Sequence, residues 1–228
     1  MADTPVSRDS LPPAARRWLD RCLPDDAPIP ERISFTQRGE MYLKDRWKPF
    51  TATQSFEIPR LGFAWNARIR MAPLVWIDVY DGIDDGVGRG RARFWGFLKV
   101  VDAAGPEVVA AQVVRYLAEL PWIPQAALAN PGLEWEGPGS DTFAVTDRST
   151  GAAHTAVFTV ADSGDVVRMT GRRMRDAEGG YEEGDYRGEF GAHAEVGGVR
   201  VPTSGEAIWD DMPDGPMSYW RGTITGLA

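Results

Sequence analysis

One stretch with helical periodicity, Pro106–Leu120, sits in the middle of a chain whose other apolar residues recur mainly at every second position. That contrast leaves few folds open. Pro106 suits a first helical position and Glu107 complements the positive helix end. Val109, Gln112, Val113, Tyr116, Leu117 and Leu120 follow at three- and four-residue steps and make one apolar stripe. Pro121 and Pro124 then stop the helix. Such a stripe needs a surface to cover, and the alternating segments on either side supply one.

Phe50, Ala52, Gln54, Phe56 and Ile58 alternate with polar residues, and after a Pro59–Gly62 turn Phe63, Trp65, Ala67, Ile69 and Met71 do the same. These are half-buried strands joined by a short turn, hence antiparallel. Val75–Tyr80 reads as a further strand, Asp81–Gly88 as an Asp/Gly-rich turn, and Arg89–Val101 as one long strand with Ala92, Phe94 and Leu98 inward. Beyond the helix, strands are expected at Leu133–Glu136, Thr142–Asp147, His154–Ala161, Asp165–Met174, Tyr186–Phe190, Ala194–Val196, Val199–Val201, Gly205–Trp209 and Ser218–Leu227. Gly197-Gly198 between two valines signals a two-residue hairpin. Strand and helix do not alternate, so a parallel α/β fold is excluded. At the N-terminus, residues 1–10 read as a polar, disordered tail, and Leu11–Leu23 as a short amphipathic helix with Ala15, Trp18, Leu19, Cys22 and Leu23 on one face. The expectation is a mainly β (α+β) fold. Ten or more antiparallel strands curve strongly into a half-barrel around one central helix, with a short N-terminal helix, as one domain over residues 11–228.

A chain of 228 residues suits a single domain, and a formal charge of −8 makes nucleic acid an unsuitable partner. No run reaches transmembrane length and no apolar leader is seen, so membrane insertion is not expected. Cys22 is the only cysteine, which points to a cytoplasmic protein without an intrachain disulfide. The nine tryptophans are the compositional outlier; indoles fill cores and also wall ligand cavities.

The segments W-K-P-F-T-A-T-Q (Trp47–Gln54), F-A-W-N-A-R-I-R-M (Phe63–Met71), R-Y-L-A-E-L-P-W-I-P-Q-A-A-L (Arg115–Leu128) and Y-W-R-G-T-I-T (Tyr219–Thr225) resemble a family of uncharacterised bacterial proteins of similar length. The resemblance runs over nearly the whole chain and implies no activity. More loosely, the order strands–helix–strands is similar to the half-barrel of bacterial lipoprotein carriers, which shelter acyl chains in an apolar concavity.

Glu119 is the first candidate for a functional carboxylate. It lies at the C-terminal end of the central helix, where the macrodipole disfavours its charge, among Leu117, Leu120 and Trp122. It suits a general acid or base, or alternatively a buried brace for Arg115 one turn earlier. Gln54 falls on the dry face of its strand and needs partners, from the protein or from a ligand. Tyr116 points from the helix stripe toward the sheet. Trp76, Asp78 and Tyr80 share one strand face, inner or outer; with Trp65, Phe94 and Trp122 they complete the expected ligand-binding set.

No metal or other cofactor is expected. His154 and His193 have no second ligand at metal spacing, the Asp78–Gly88 stretch is not a calcium loop, Gly86–Gly90 precedes no helix, and no G-x-S-x-G occurs. The function expected is capture of a hydrophobic small molecule in a Trp-lined cavity. In one version the protein is a cofactor-independent cyclase, isomerase or hydrolase, with Glu119 as acid/base and Arg115 or Tyr116 stabilising negative charge. In the alternative it is a non-catalytic carrier of a lipid-like ligand.

Overall fold

A computed structural model describes residues 6–227 of the chain. Thirteen antiparallel strands form one sheet in the order β6-β5-β4-β3-β2-β1-β13-β12-β11-β10-β9-β8-β7. The first half contributes β1 (Arg32–Leu43), β2 (Arg46–Glu57), β3 (Phe63–Ala72), β4 (Val75–Asp84), β5 (Val87–Phe94) and β6 (Leu98–Ala104). The second contributes β7 (Leu133–Glu136), β8 (Thr142–Asp147), β9 (His154–Val160), β10 (Val166–Ala177), β11 (Gly180–Val196), β12 (Val199–Trp209) and β13 (Met217–Leu227). Each half is a meander of sequential hairpins, and the pairing of β1 with β13 joins them into one curled sheet. Helices α1 (Pro13–Cys22), α2 (Pro106–Ala118) and α3 (Ala126–Ala129) complete the fold.

The expected mainly β half-barrel around a central helix is the architecture observed. Helix α2 lies in the concavity and packs against β4 and β5 from one half and β8, β9 and β10 from the other. Gly105 (φ 123°) turns the chain into it and Pro106 opens it; Glu119 caps it at φ −93°, ψ 2°, before a 3-10 turn at Leu120–Trp122. Helix α1 covers a second part of the concave face, where Trp18 stacks on Phe143 at 5.4 Å and Phe143 on Phe158 at 4.9 Å. Of the polar tail expected over residues 1–10, residues 1–5 lie outside the described residues. Val6 N–H donates to Leu128 O, and Arg8–Ser10 forms a 3-10 turn.

Three local readings are corrected by turn geometry. Strand β4 runs on to Asp84, and the turn is only Asp85-Gly86, both at positive φ (46° and 75°), so Asp81 belongs to a strand. The single long strand expected from Arg89 to Val101 is a hairpin, β5–β6, folded at Trp95-Gly96 (φ 50° and 80°). Conversely, β11 and β12 are continuous strands around the expected Gly197-Gly198 turn.

The curl itself depends on missing side chains. Gly39, Gly222 and Gly205 stand in register across β1, β13 and β12. A Cβ on Gly39 would come within 2.2 Å of Arg221 O, and one on Gly222 within 2.6 Å of the Trp220 ring. The glycine row lets neighbouring backbones and one indole approach as no larger residue would permit.

Candidate functional site

Helix α2 presents Arg115, Ala118 and Glu119 to a cavity of about 150 Å³ between itself and the sheet. Trp65 and Val79 close it from the first meander, and Tyr186, Phe190, Tyr219 and Trp220 from the second, with Trp122 from the turn after the helix. The aromatic wall is continuous: Trp122 lies 6.1 Å from Trp220, Trp220 stacks on Phe50 at 5.8 Å, and Phe50 meets Trp65 edge-on at 5.6 Å.

A hydrogen-bond chain runs behind this wall. Trp65 Nε1 donates to Gln37 Oε1 at 2.9 Å, Gln37 Nε2 donates to Gln54 Oε1 at 2.9 Å, and Gln54 Nε2 donates to Glu119 Oε2. Arg115 donates from Nε to Glu119 Oε1 at 3.1 Å and from Nη1 to Asp81 Oδ2 at 2.5 Å; Gln112 Nε2 donates to Asp81 Oδ1. The Arg115 guanidinium also lies 5.1 Å from the Phe63 ring centre and 5.0 Å from that of Trp65. The chain is satisfied from Trp65 through to Arg115 and Asp81, whereas Gln112 Oε1 is buried without a hydrogen-bond partner.

Burial pushes the Glu119 carboxyl above the ordinary glutamate range, against the opposing pull of Arg115 and Gln54. Burial also works against the Arg115 charge, but Glu119 and Asp81 outweigh it and hold the guanidinium above its usual value. Arg115 therefore stays charged, and Glu119 is the member of the pair that titrates.

The cavity opens past Asp81, Arg173 and Tyr219, which also line an outer cleft of about 930 Å³. That cleft lies between the β5–β6 edge and the β10–β11 hairpin, with Val101, Ala111, Met174, Trp209, Met212 and Met217 as its apolar surface. At the junction Arg173 donates from Nε to Ala111 O at 3.0 Å and from Nη1 to Tyr219 Oη at 2.7 Å, and lies 5.0 Å from the Tyr186 ring centre.

Among the residues expected from the sequence, the structure brings Trp65, Arg115, Glu119 and Trp122 to the cavity wall. Gln54 is 1% exposed and sits behind the wall as a link in the chain. Tyr116 is turned away from the cavity: fully buried, it accepts a hydrogen bond from Asn130 Nδ2 at 3.1 Å, and burial raises its hydroxyl well above the usual tyrosine range. Trp76, Asp78 and Tyr80 are on the opposite, solvent face. Their strand's inner residues are Ile77, Val79, Asp81 and Ile83, each paired with a buried residue of β3. Outside, Asp78 pairs with Arg68 at 2.7 Å, while Arg68 covers Trp76 and Arg91 covers Tyr80. Phe94 sits at the tip of the β5–β6 hairpin against Trp95, away from the cavity.

Asp81, Arg173, Tyr186, Tyr219 and Trp220 complete the site and were not expected there. Asp81 had been assigned to a turn. Arg173 shares the inner face of β10 with buried Met169, a signal present in the sequence but masked by four other arginines of that strand and its neighbours. Tyr219 and Trp220 both reach the cavity because the β12–β13 register slips between Ala207 and Ile208, making Tyr219 an extra, bulged residue. Among the described residues no cluster of three or more His, Cys, Asp or Glu is placed to hold a metal, and no helix is long and apolar enough to cross a membrane.

The family model described as a family of unknown function (DUF6544) matches residues 4–222. No curated protein sequence matches the chain. Solved structures of similar fold include the following two. One is a putative outer membrane lipoprotein-sorting protein domain from Vibrio parahaemolyticus, with 7% identity over 97% of this chain and 93% of that one, at a TM-score of 0.45. The other is a LolA superfamily protein from Nitrosomonas europaea, with 10% identity over 93% and 92% of the two chains, at a TM-score of 0.46.

Proposed function

The chain belongs to the DUF6544 family, whose description assigns no function, and from the geometry of its site we propose that it binds a hydrophobic small molecule, as a binding or carrier protein. The observation that carries this reading is the aromatic-walled chamber that opens, past Asp81, Arg173 and Tyr219, into a larger cleft. A chamber of about 150 Å³ suits one ring or a short alkyl segment. The outer cleft, at about 930 Å³, is in the range of ordinary ligand sites and would hold the remainder.

Catalysis by Glu119 is the less favoured version. Each of its oxygens already accepts a hydrogen bond, one from Arg115 and one from Gln54, which is the pattern of a structural ion pair more than of a base open to a substrate. The acid acts as a brace that keeps α2 seated against the sheet.

Titration with the neutral, environment-sensitive probe N-phenyl-1-naphthylamine tests the reading. Saturable one-to-one binding is expected, with loss in Gly188→Val. Gly188 lines the chamber, and a Cβ there meets its neighbours at ordinary contact distance, so the larger side chain fills space without breaking the strand. An absence of saturable binding, or equal binding by the filled variant, would overturn the proposal.

A further inference from the structure

Two arginines line the chamber, and they are in opposite conditions. Arg115 is neutralised by Glu119 and Asp81. Arg173 is half-buried and pairs with no carboxylate among the described residues. Its hydrogen-bond partners are a main-chain carbonyl and a phenol. A guanidinium has five N–H donors in a rigid fork. Two of those on Arg173 are used, and the other three have no partner among the described residues. Asp81 and Glu119 act on this charge only at longer range, so its remaining N–H groups, at the mouth of the cavity, suit a directly paired anion.

We propose that the ligand carries a single carboxylate, which pairs with Arg173 at the junction of chamber and cleft, with its apolar part divided between the two. This deepens the binding function proposed above and rests on it. The charge is set by the neighbours. The chamber's ionisable lining is Arg115, Arg173, Asp81, Glu119 and Glu206, which sum to one negative charge when all are ionised, so a monoanion leaves it at two and a phosphate dianion at three. The rings of Tyr186 and Trp209 lie 5.0 and 6.0 Å from the guanidinium, and with Nε and Nη1 each making one bond, the Nη2 group and one Nη1 hydrogen remain for a flat, two-oxygen acceptor.

Displacement of bound N-phenyl-1-naphthylamine at pH 7.5 by decanoate, decanol and decyl phosphate tests this. Wild type should bind decanoate at least about ten-fold more tightly than either of the others, as a charge-assisted pair implies. In Arg173→Gln the ratio of decanoate to decanol affinity should fall to within about three-fold of unity. Should that variant fail to fold, Tyr219→Phe releases the guanidinium from one anchor, and the same ratio should drop measurably. Equal binding of acid and alcohol by wild type, tighter binding of decyl phosphate, or a ratio unmoved by either substitution would overturn the carboxylate assignment while the binding function stands. Failure of the probe itself to bind would remove both.

Discussion

The Arg115 guanidinium lies 5.0 Å from the ring centre of Trp65, and the N–H of that same indole begins a hydrogen-bond chain that returns to Arg115 through Gln37, Gln54 and Glu119. The loop ties β1, β2 and β3 to the central helix with polar side chains alone. The helix is thus fixed in position and rotation before any apolar contact is counted, because each donor in the loop has one acceptor in reach.

Breaking this loop at Arg115 should be costly. Arg115→Met leaves Glu119 and Asp81 buried without their cation, and removal of one partner from a buried pair costs about 3–5 kcal/mol. Urea unfolding measures it. Arg115→Lys should recover only part of the loss, since a compact ammonium lacks the planar fork that here spans two carboxylates while lying over two rings. A loss below about 1 kcal/mol for Arg115→Met would show that the network does not hold the helix.

The Glu119 carboxyl gives stability a pH dependence of defined sign. Its folded value is raised, so the folded protein holds this proton more tightly than the unfolded chain. The resulting stabilisation is complete below the ordinary value of 4.5 and is lost as pH rises through the raised one. Calorimetric melting of wild type and Glu119→Gln across pH 4–8 should therefore show the difference moving toward wild type as pH falls. A pH-independent difference, or one moving the other way, contradicts the assignment.

Gly39→Ala should destabilise by about 1–3 kcal/mol or more, because the obstructing atoms are main chain and cannot swing aside. Gly90→Ala is the control. Its Cβ would meet nothing nearer than 3.6 Å, and its effect should stay within about 0.5 kcal/mol. Equal costs at the two positions in denaturant unfolding would show that the glycine row is not what sets the curl.

Cys22 is 4% exposed at the end of α1, on its buried face, and burial pushes its thiol far above the usual range. In the folded protein it should not react with Ellman's reagent over minutes, and should react fully in 6 M guanidinium chloride. Rapid labelling of the folded protein would mean that α1 opens locally.

The sheet was legible because alternation is a property of each strand by itself, and Phe50–Ile58 and Phe63–Met71 carry it without interruption. Helix α2 was legible because its stripe and its prolines agree. The site was half legible. Glu119, Arg115, Trp65 and Trp122 lie on elements whose inner face the sequence marks with apolar neighbours. Trp76, Asp78 and Tyr80 also share a face, but periodicity cannot say which face is inward; only the pairing of Ile77 and Val79 with buried Ile69 and Ala67 decides it. Tyr219 was hidden for a different reason. A bulge breaks the period of two at that residue, and it arises from pairing with a strand ten positions away, not from anything in β13 itself.

Strands β1 and β13 meet at a seam where the hydroxyls of Thr36 and Thr225, 189 positions apart, lie 2.9 Å from each other. Trp65 and Val79 stand on one side of that seam, Tyr219 and Trp220 on the other. Neither half of the chain encloses a chamber by itself. β13 is the last of these thirteen strands in chain order, so during synthesis the chamber is not enclosed until that strand has docked. Without that strand the chamber lacks the Tyr219 and Trp220 side of its wall.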